Sequence, residues 1–200
     1  EVINYLNNNF EIRTRKKIEH SIIVGTIGRI PSKLTALRKE LMANKTRSIP
    51  SRYKVNSRKN RLELLAGLLD GDGYLHDSCF EIITKYDDLR DDILFLSRSL
   101  GFAAYSSNKI GTIKSTGFSG KYHRISISGN TSDIPTKIKR KQASKRAQAK
   151  SVLNTGFKIE SIGVGDYYGF TIGGDHRFLL GDFSITHNTF TFTTIAEECF

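Results

Sequence analysis

Leu64–Tyr74 reads LLAGLLDGDGY, an apolar run that ends in a glycine-rich turn carrying two carboxylates. Ala66 and Gly67 place small residues on a helix face that otherwise carries leucines. Because Gly inside a helix costs about 1 kcal/mol relative to Ala, its presence indicates the close approach of another helix. Two such helices would bring Asp70 and Asp72 together with their counterparts, where a hard cation such as Mg²⁺ offsets the repulsion. The stretch therefore predicts one half of a helix pair with a metal site at its end.

The nine residues Leu65–Gly73 resemble the LAGLIDADG motif of homing endonucleases and match it at seven positions. The two differences, Leu69 and Gly71, are common variants of that motif. In the family the second aspartate is the catalytic acid that binds the metal. The resemblance therefore implies Asp72 as catalytic residue and metal ligand, with Mg²⁺ as the cofactor for DNA cleavage. The alternative interpretation of the same residues is a buried helix followed by an Asp-Gly turn.

Charge is unevenly distributed along the chain. It carries 31 Lys and Arg against 20 Asp and Glu, a net charge of +11. Segment Ser161–Phe200 has a net charge of −4, and Glu1–Glu160 has +15. Such a basic body favours phosphate backbones, which predicts double-stranded DNA as a partner, although a basic protein without a nucleic acid partner is the alternative. Two cysteines, Cys79 and Cys199, suggest a reducing intracellular, cytoplasmic location. No apolar run reaches the roughly 18 residues of a membrane span, so no membrane partner is expected.

Apolar and polar residues alternate in patterns typical of both helices and strands, which predicts the α+β class. Helices are predicted at Glu1–Asn8, Ser32–Met42, Arg61–Asp70, Asp87–Leu100 and Ser132–Ile138. Strands are predicted at Phe10–Arg15 and His20–Gly25, within Tyr74–Lys85, and at Phe102–Ile113 and Tyr122–Ser128. The order helix, strand, strand, helix describes both Glu1–Met42 and Asp87–Ile138. The LAGLIDADG resemblance implies an α-β-β-α-β-β-α repeat, here in one and a half copies, whose sheet forms a saddle over the DNA major groove.

Basic residues on the predicted strands and at their ends would contact DNA phosphates and bases. These candidates are Arg13, Arg15, Lys17, Lys109, Lys114, Lys121 and Arg124. For each of them a solvated strand face is the alternative. The densest charge run spans Lys137–Lys150, where a lysine near the scissile phosphate would stabilise the transition state. In LAGLIDADG endonucleases that are carried by inteins, a lysine just after the last helix of the repeat serves near the active centre. That similarity makes Lys145 the first candidate for this role and Lys141 the second.

The last part of the chain alternates as short strands: Phe157–Ile162, Tyr167–Ile172, Arg177–Leu180 and Phe183–Thr186. The stretches Asp166–Ile172, His176–Leu180 and His187–Thr189 resemble the C-terminal splicing blocks of inteins, which form an all-β (Hint) segment. The side-chain amide of Asn188 can attack its own carbonyl carbon and break the bond to Thr189. The resemblance implies that His187 and His176 assist this autocatalytic step. Thr189 supplies the hydroxyl that accepts the upstream chain, and splicing needs no cofactor. Many inteins carry Asp where this chain has Gly169.

The predicted organisation is a homing endonuclease domain at 1–150, a splicing segment at 151–188 and the start of the host protein, the C-extein, at 189–200. The first domain divides into a partial repeat at 1–58 and a full repeat at 59–150. Splicing also requires an N-terminal Cys or Ser and a Thr-x-x-His block, whereas residue 1 is Glu. We therefore expect a C-terminal fragment of a split intein that lacks the first LAGLIDADG motif and acts in trans with an N-terminal intein fragment. Two alternatives stay open: an intein that splices with a degenerate endonuclease, and a non-catalytic DNA-binding protein on the LAGLIDADG scaffold.

Overall fold

The computed structural model describes residues 12–18, 21–26, 47–113, 117–147, 163–166 and 169–187, with single positions 8, 36, 39, 115, 151, 152, 154, 156, 158, 160 and 161. For 12–18 and 21–26 it describes the backbone only. The chain divides into two compact units, Glu1–Ala149 and Lys150–Phe200. In the first unit, β1 (Ile12–Ile18) and β2 (Ser21–Thr26) form a two-stranded antiparallel sheet. The helices predicted at Glu1–Asn8 and Ser32–Met42 lie outside the described residues, apart from one position in the first and two in the second.

Three helices follow in the first unit: α1 (Ser51–Lys54), α2 (Arg58–Asp72) and α3 (Asp87–Ser99). Helix α2 begins three residues earlier than predicted because Ser57 caps it, its hydroxyl accepting the Asn60 N–H at 3.3 Å. Helix α3 ends one residue before its predicted end, in a Schellman turn. There Gly101 has φ +87°, and the Phe102 N–H donates to the Ser97 carbonyl at 3.1 Å. No described helix has the length and apolar character needed to cross a membrane.

A four-stranded antiparallel sheet completes the first unit, in the order β3-β4-β6-β5. Its strands are β3 (Tyr74–His76), β4 (Cys79–Thr84), β5 (Ala103–Ile113) and β6 (Phe118–Ser128). The register pairs Phe80 with Ile127 and Ile82 with Ile125, so these four side chains share one buried face. Helices α2 and α3 pack on that face and fill the core with Leu65, Leu69, Ile93 and Leu96. The predicted α+β class is confirmed.

Strand β6 begins four residues earlier than predicted. Gly120, which precedes the predicted strand, is part of β6 and lies directly opposite Gly111. Aromatic rings cover both glycines: a Cβ at Gly111 would lie 2.8 Å from the Tyr122 ring, and one at Gly120 would lie 3.1 Å from the Phe118 ring. The glycines therefore make room for side chains on the strand and do not end it.

The helix predicted at Ser132–Ile138 is wrong. Two 3₁₀ turns, Thr131–Asp133 and Lys139–Lys141, flank an extended stretch instead. Pro135 has no N–H to donate, and the next backbone amides bond to a distant carboxylate described below. From α2 onward the order in the described residues is therefore α-β-β-α-β-β followed by 3₁₀ turns.

Among the described residues of the second unit, β7 (Arg177–Leu179) and β8 (Ile185–His187) form a β-hairpin. Its turn is closed by a hydrogen bond from the Leu180 N–H to the Ser184 carbonyl at 2.8 Å. The described positions within the predicted strands at 157–162 and 167–172 are not in strands. Phe170 packs edge-on against Phe178, with ring centroids 4.9 Å apart. In the described residues the predicted all-β unit is represented by this hairpin alone.

Candidate active site

Helix α2 presents small or apolar residues on two faces. Three side chains fill the core of the first unit: Leu65, Ala66 and Leu69. A second set, spaced i, i+3, i+4, i+7, lines what we call the outer face: Leu64, Gly67, Leu68 and Gly71. The two glycines are exposed and the two leucines only partly buried. A Cβ added at either glycine would meet nothing within 4 Å, so within the described residues this face has room for another backbone.

The first turn of α2 is fastened to the last turn of α3. Arg58 donates to the Leu100 carbonyl at 2.8 Å, and Arg61 donates to the carbonyl and hydroxyl oxygens of Ser99 at 3.0 and 2.6 Å. Guanidinium groups at helix carbonyl ends satisfy acceptors that the helix leaves open and complement its dipole. The orientation of α2 is therefore fixed at its N-terminal end, and its C-terminal end reaches the first hairpin of the sheet.

Gly73 ends helix α2. Its N–H donates to the Leu69 carbonyl at 2.9 Å, and a Cβ here would lie 2.7 Å from the same oxygen. The residue is buried with an ordinary φ of −75°, so space and not backbone conformation excludes a side chain. Asp72, the last residue of α2, is exposed. The helix end thus presents one carboxylate outward from a tightly packed turn.

Asp70, the other carboxylate of the motif, is engaged within the unit. It accepts the Lys137 N–H at 2.7 Å on Oδ2 and the Ile138 N–H at 3.2 Å on Oδ1. These are the amides that the predicted helix would have used. Sequence reasoning grouped Asp70 with Asp72, whereas the structure gives the two aspartates different surroundings.

Lys141 lies at the end of α2 and is 5% exposed. Its ammonium donates to three successive carbonyl oxygens, those of Leu69 at 2.9 Å, Asp70 at 2.8 Å and Gly71 at 3.3 Å. Burial lowers the pKa of Lys141, the charge of Arg140 lowers it further, and the charges of Asp70 and Asp72 oppose that shift. Lys141 therefore acts as a cationic cap on α2 from a position 71 residues away from Asp70.

The basic segment continues along the first hairpin of the sheet. The Ser144 hydroxyl lies 2.9 Å from that of Ser78, and Arg146 donates to the Asp77 carbonyl at 2.9 Å. Lys145, the first candidate for a phosphate contact, is exposed between these two anchors. Arg140, which sequence reasoning did not single out, is also exposed. The segment thus follows a defined path from the end of α2 and carries exposed cations along it.

The candidate DNA contacts divide between the two faces of the sheet. The register pairs Lys109 with Tyr122 and Ser107 with Arg124, so Lys109 and Arg124 lie on the face opposite the core. Arg124 lies 3.7 Å from Glu81 on that face. Lys121 pairs with Ile110 and shares the face of Ile125 and Ile127. Lys114 and the side chains of Arg13, Arg15 and Lys17 lie outside the described residues.

The candidate splicing residues lie in the second unit. His176 and His187 have ring centroids 5.9 Å apart in an edge-to-face arrangement. His176 has φ +56° in the turn before β7, and His187 ends β8 opposite Arg177. Asp175 accepts from Arg177, which lowers the pKa of Asp175. Asn188 and Thr189 lie outside the described residues, so the structure brings the two histidines together and describes neither reacting group.

A local signal for Lys141 is absent, because its partners are backbone carbonyls far away in the sequence. Asp70 stands in the motif itself, but no local pattern separates a structural carboxylate from an exposed one. A family model for homing endonucleases matches residues 48–156, which is more than half of the chain and contains α2, the four-stranded sheet and the basic segment. The chain therefore belongs to the homing endonuclease family.

Proposed function

We propose that the first unit is half of a LAGLIDADG-type endonuclease that hydrolyses phosphodiester bonds at a specific site in double-stranded DNA. The observation that carries this proposal is the end of α2: Asp72 is exposed beside an open outer face, while Asp70 is held by backbone amides. A second motif helix packed on Gly67 and Gly71 would bring a second aspartate to Asp72. That helix would come from an N-terminal intein fragment or from another chain.

Mg²⁺ is the cofactor we propose for the cleavage. Mg²⁺ is bound by one or two carboxylates together with water and phosphate oxygens. The described residues contain no group of three or more metal-ligating side chains, which agrees with a site completed by DNA and by a partner aspartate. Asp72 would hold the metal from this chain, and the bound metal would supply Lewis-acid stabilisation of the reacting phosphate. Asp70 has its carboxylate oxygens on the Lys137 and Ile138 amides and is not a proposed ligand.

This chain's own residues have two tasks in the reaction. In hydrolysis a water attacks phosphorus and an ester oxygen leaves in line, while negative charge grows on the phosphate oxygens. Exposed cations of the basic segment, Arg140 and Lys145, would offset that charge. Lys109 and Arg124, on the face of the sheet opposite the core, would position the DNA through phosphate or base contacts.

Asp72→Asn tests the proposal. With a chain that supplies the second motif, we expect at least about a hundredfold slower nicking of target DNA in Mg²⁺, since outer partners of metal sites already cost 10–100-fold. DNA affinity measured with EDTA should stay within about twofold, because charge neutralisation at phosphates sets that affinity. Asp88→Asn, the same charge change at an exposed position in α3, is the control. Unchanged nicking by Asp72→Asn would remove this residue from the mechanism.

We propose as a second function that the chain takes part in protein splicing, by asparagine cyclisation and cleavage of its C-terminal junction. The observation in favour is the pairing of His176 with His187, the residue next to Asn188, at 5.9 Å. Two imidazoles near this peptide bond would supply the proton that the leaving amine requires. Thr189 would act as the nucleophile toward an upstream chain in trans.

Mass spectrometry of the incubated chain tests this second function. Cleavage after Asn188 would release residues 189–200, and Asn188→Ala should prevent it without changing DNA affinity. If the mass stays unchanged after days of incubation, both for the chain alone and with an N-terminal intein fragment added, the splicing proposal is refuted. Splicing without nicking would favour a degenerate endonuclease, and DNA binding with neither reaction would favour the non-catalytic scaffold.

A further inference from the structure

We propose that Asp70 and Lys141 form a reciprocal clamp that fixes the last turn of α2 against residues 136–142, so that Lys141 positions Asp72 and does not contact DNA phosphate. The inference rests on the proposed role of Asp72 in DNA cleavage. Lys141, the second candidate from the sequence for a contact with the scissile phosphate, would thus have a structural role.

The bonds of Lys141 give the first argument. An ammonium has three N–H donors, and the structure places three carbonyl oxygens within 2.8–3.3 Å of this one. The side chain is 5% exposed. With its donors directed to Leu69, Asp70 and Gly71, the group has no donor left for a phosphate oxygen. Reaching DNA would require it to give up all three bonds, which would leave the carbonyl end of α2 without its cap.

Asp70 gives the second argument, because it makes the opposite connection. Its two oxygens accept from the consecutive amides of Lys137 and Ile138, at 2.7 and 3.2 Å. Lys141 therefore connects the segment to the helix, and Asp70 connects the helix to the segment. A carboxylate that accepts two backbone N–H bonds is a charge-assisted anchor and stronger than a neutral one.

The segment between the two connections is braced internally, which makes the clamp one unit. The Thr136 hydroxyl donates to the Lys141 carbonyl at 2.8 Å, and the Lys141 N–H donates to the Ile138 carbonyl at 2.8 Å. Thr136 is 5% exposed. Because Asp72 follows the last capped carbonyl by one residue, loosening either connection would free the turn that carries it.

Lys141→Met and its matched control Lys145→Met separate positioning from phosphate contact. Both remove one positive charge from the same segment, one buried and one exposed. For Lys145→Met we expect the slope of log affinity for DNA against log salt concentration to fall by about 0.9, the value for one lost phosphate contact. For Lys141→Met we expect an unchanged slope, together with at least about fivefold faster hydrogen exchange at the Ile138 and Gly73 amides. An equal loss of slope in both variants would overturn the proposal.

Asp70→Asn keeps the test decisive if Lys141→Met does not fold. We expect it to speed exchange at the same Ile138 and Gly73 amides, and the double variant to exchange no faster than either single one, since parts of one clamp are not additive. Independent, additive effects would contradict a clamp. With a second motif supplied, both variants should lower kcat for nicking while KM stays within about twofold, the signature of a misplaced catalytic group. If the unsubstituted protein does not nick DNA at all, the proposed function fails, while the exchange and salt measurements still decide on the clamp.

Discussion

Gly67 offers a substitution whose two consequences have opposite signs. It lies in the middle of α2, is exposed, and has nothing within 4 Å of the position that a Cβ would take. Ala at this position adds a methyl group to open space within the described unit. It also adds that methyl group to the outer face, where we expect the backbone of a second motif helix.

The effect of Gly67→Ala on stability follows from helix propensity alone. Ala is favoured over Gly in a helix interior by about 1 kcal/mol, and no described contact offsets that gain. With a urea slope of about 1–3 kcal/mol per M, the unfolding midpoint should rise by roughly 0.3–1 M. Urea titration followed by circular dichroism measures this shift. Gly73→Ala is the matched control, because its Cβ would lie 2.7 Å from the Leu69 carbonyl oxygen; such overpacking should lower stability by about 1–3 kcal/mol.

The second consequence of Gly67→Ala concerns the helix pair. If a partner backbone packs at this glycine, the more stable variant should associate with the second motif and nick DNA at least about tenfold less well, since small residues are what permit such close approach. A lower midpoint for Gly67→Ala would refute the statement that the position is open. A higher midpoint with unchanged nicking would refute a close helix contact at Gly67.

Two further predictions concern Asp91 and Asp92 in α3. Asp92 is 6% exposed and pairs with the Lys54 ammonium and the Ile49 N–H. Asp92→Asn leaves that ammonium without its counter-ion and should lower the free energy of unfolding, measured in urea, by about 3 kcal/mol. A loss of less than about 1 kcal/mol would contradict this. The hydrogen bond from Arg90 lowers the pKa of Asp91 below its ordinary value of 3.8. The stabilisation from this pair is therefore fully present above pH 3.8 and is lost as the pH falls through the lowered pKa of the folded protein. Asp91→Asn should therefore flatten the dependence of stability on pH below about 4, which urea midpoints measured at several pH values would show. If the midpoints fall with pH as steeply as in the unsubstituted protein, the Arg90–Asp91 pair does not contribute to stability.

Local patterns located α2 and α3 but not their ends, and they missed α1. The apolar spacing located α2, and the Ser57 cap that extends it is a signal present in the sequence. The early start of β6 could not be predicted from the local sequence, because it involves a glycine, Gly120, against which the Phe118 and Tyr122 rings pack in the fold. Glycine alone favours a turn, so the local preference was overridden by a cross-strand contact.

In the candidate site, contacts between distant residues limit prediction from the sequence even more strongly. Asp72 and the outer face follow from an eleven-residue stretch, since spacing alone places them on one helix. The hydrogen bonds of Asp70 and Lys141, in contrast, join residues that are 67 to 72 positions apart in the chain. The same contacts replaced the predicted helix at Ser132–Ile138, because Asp70 takes two amides that the helix would have used. No periodicity encodes such a bond.

The three glycines of the motif have different physical reasons. Gly73 is required by its own unit, since the Leu69 backbone occupies the space of a side chain. A Cβ added at Gly67 or Gly71 would meet nothing within 4 Å in the described residues, and Ala at either position would favour the helix by about 1 kcal/mol. The stability of this unit therefore gives no reason for glycine at those two positions. A reason outside the unit is required, and close packing of a second helix on the outer face supplies one. By this argument the unit folds around Leu65 and Leu69, while its active site is complete only when that face is covered.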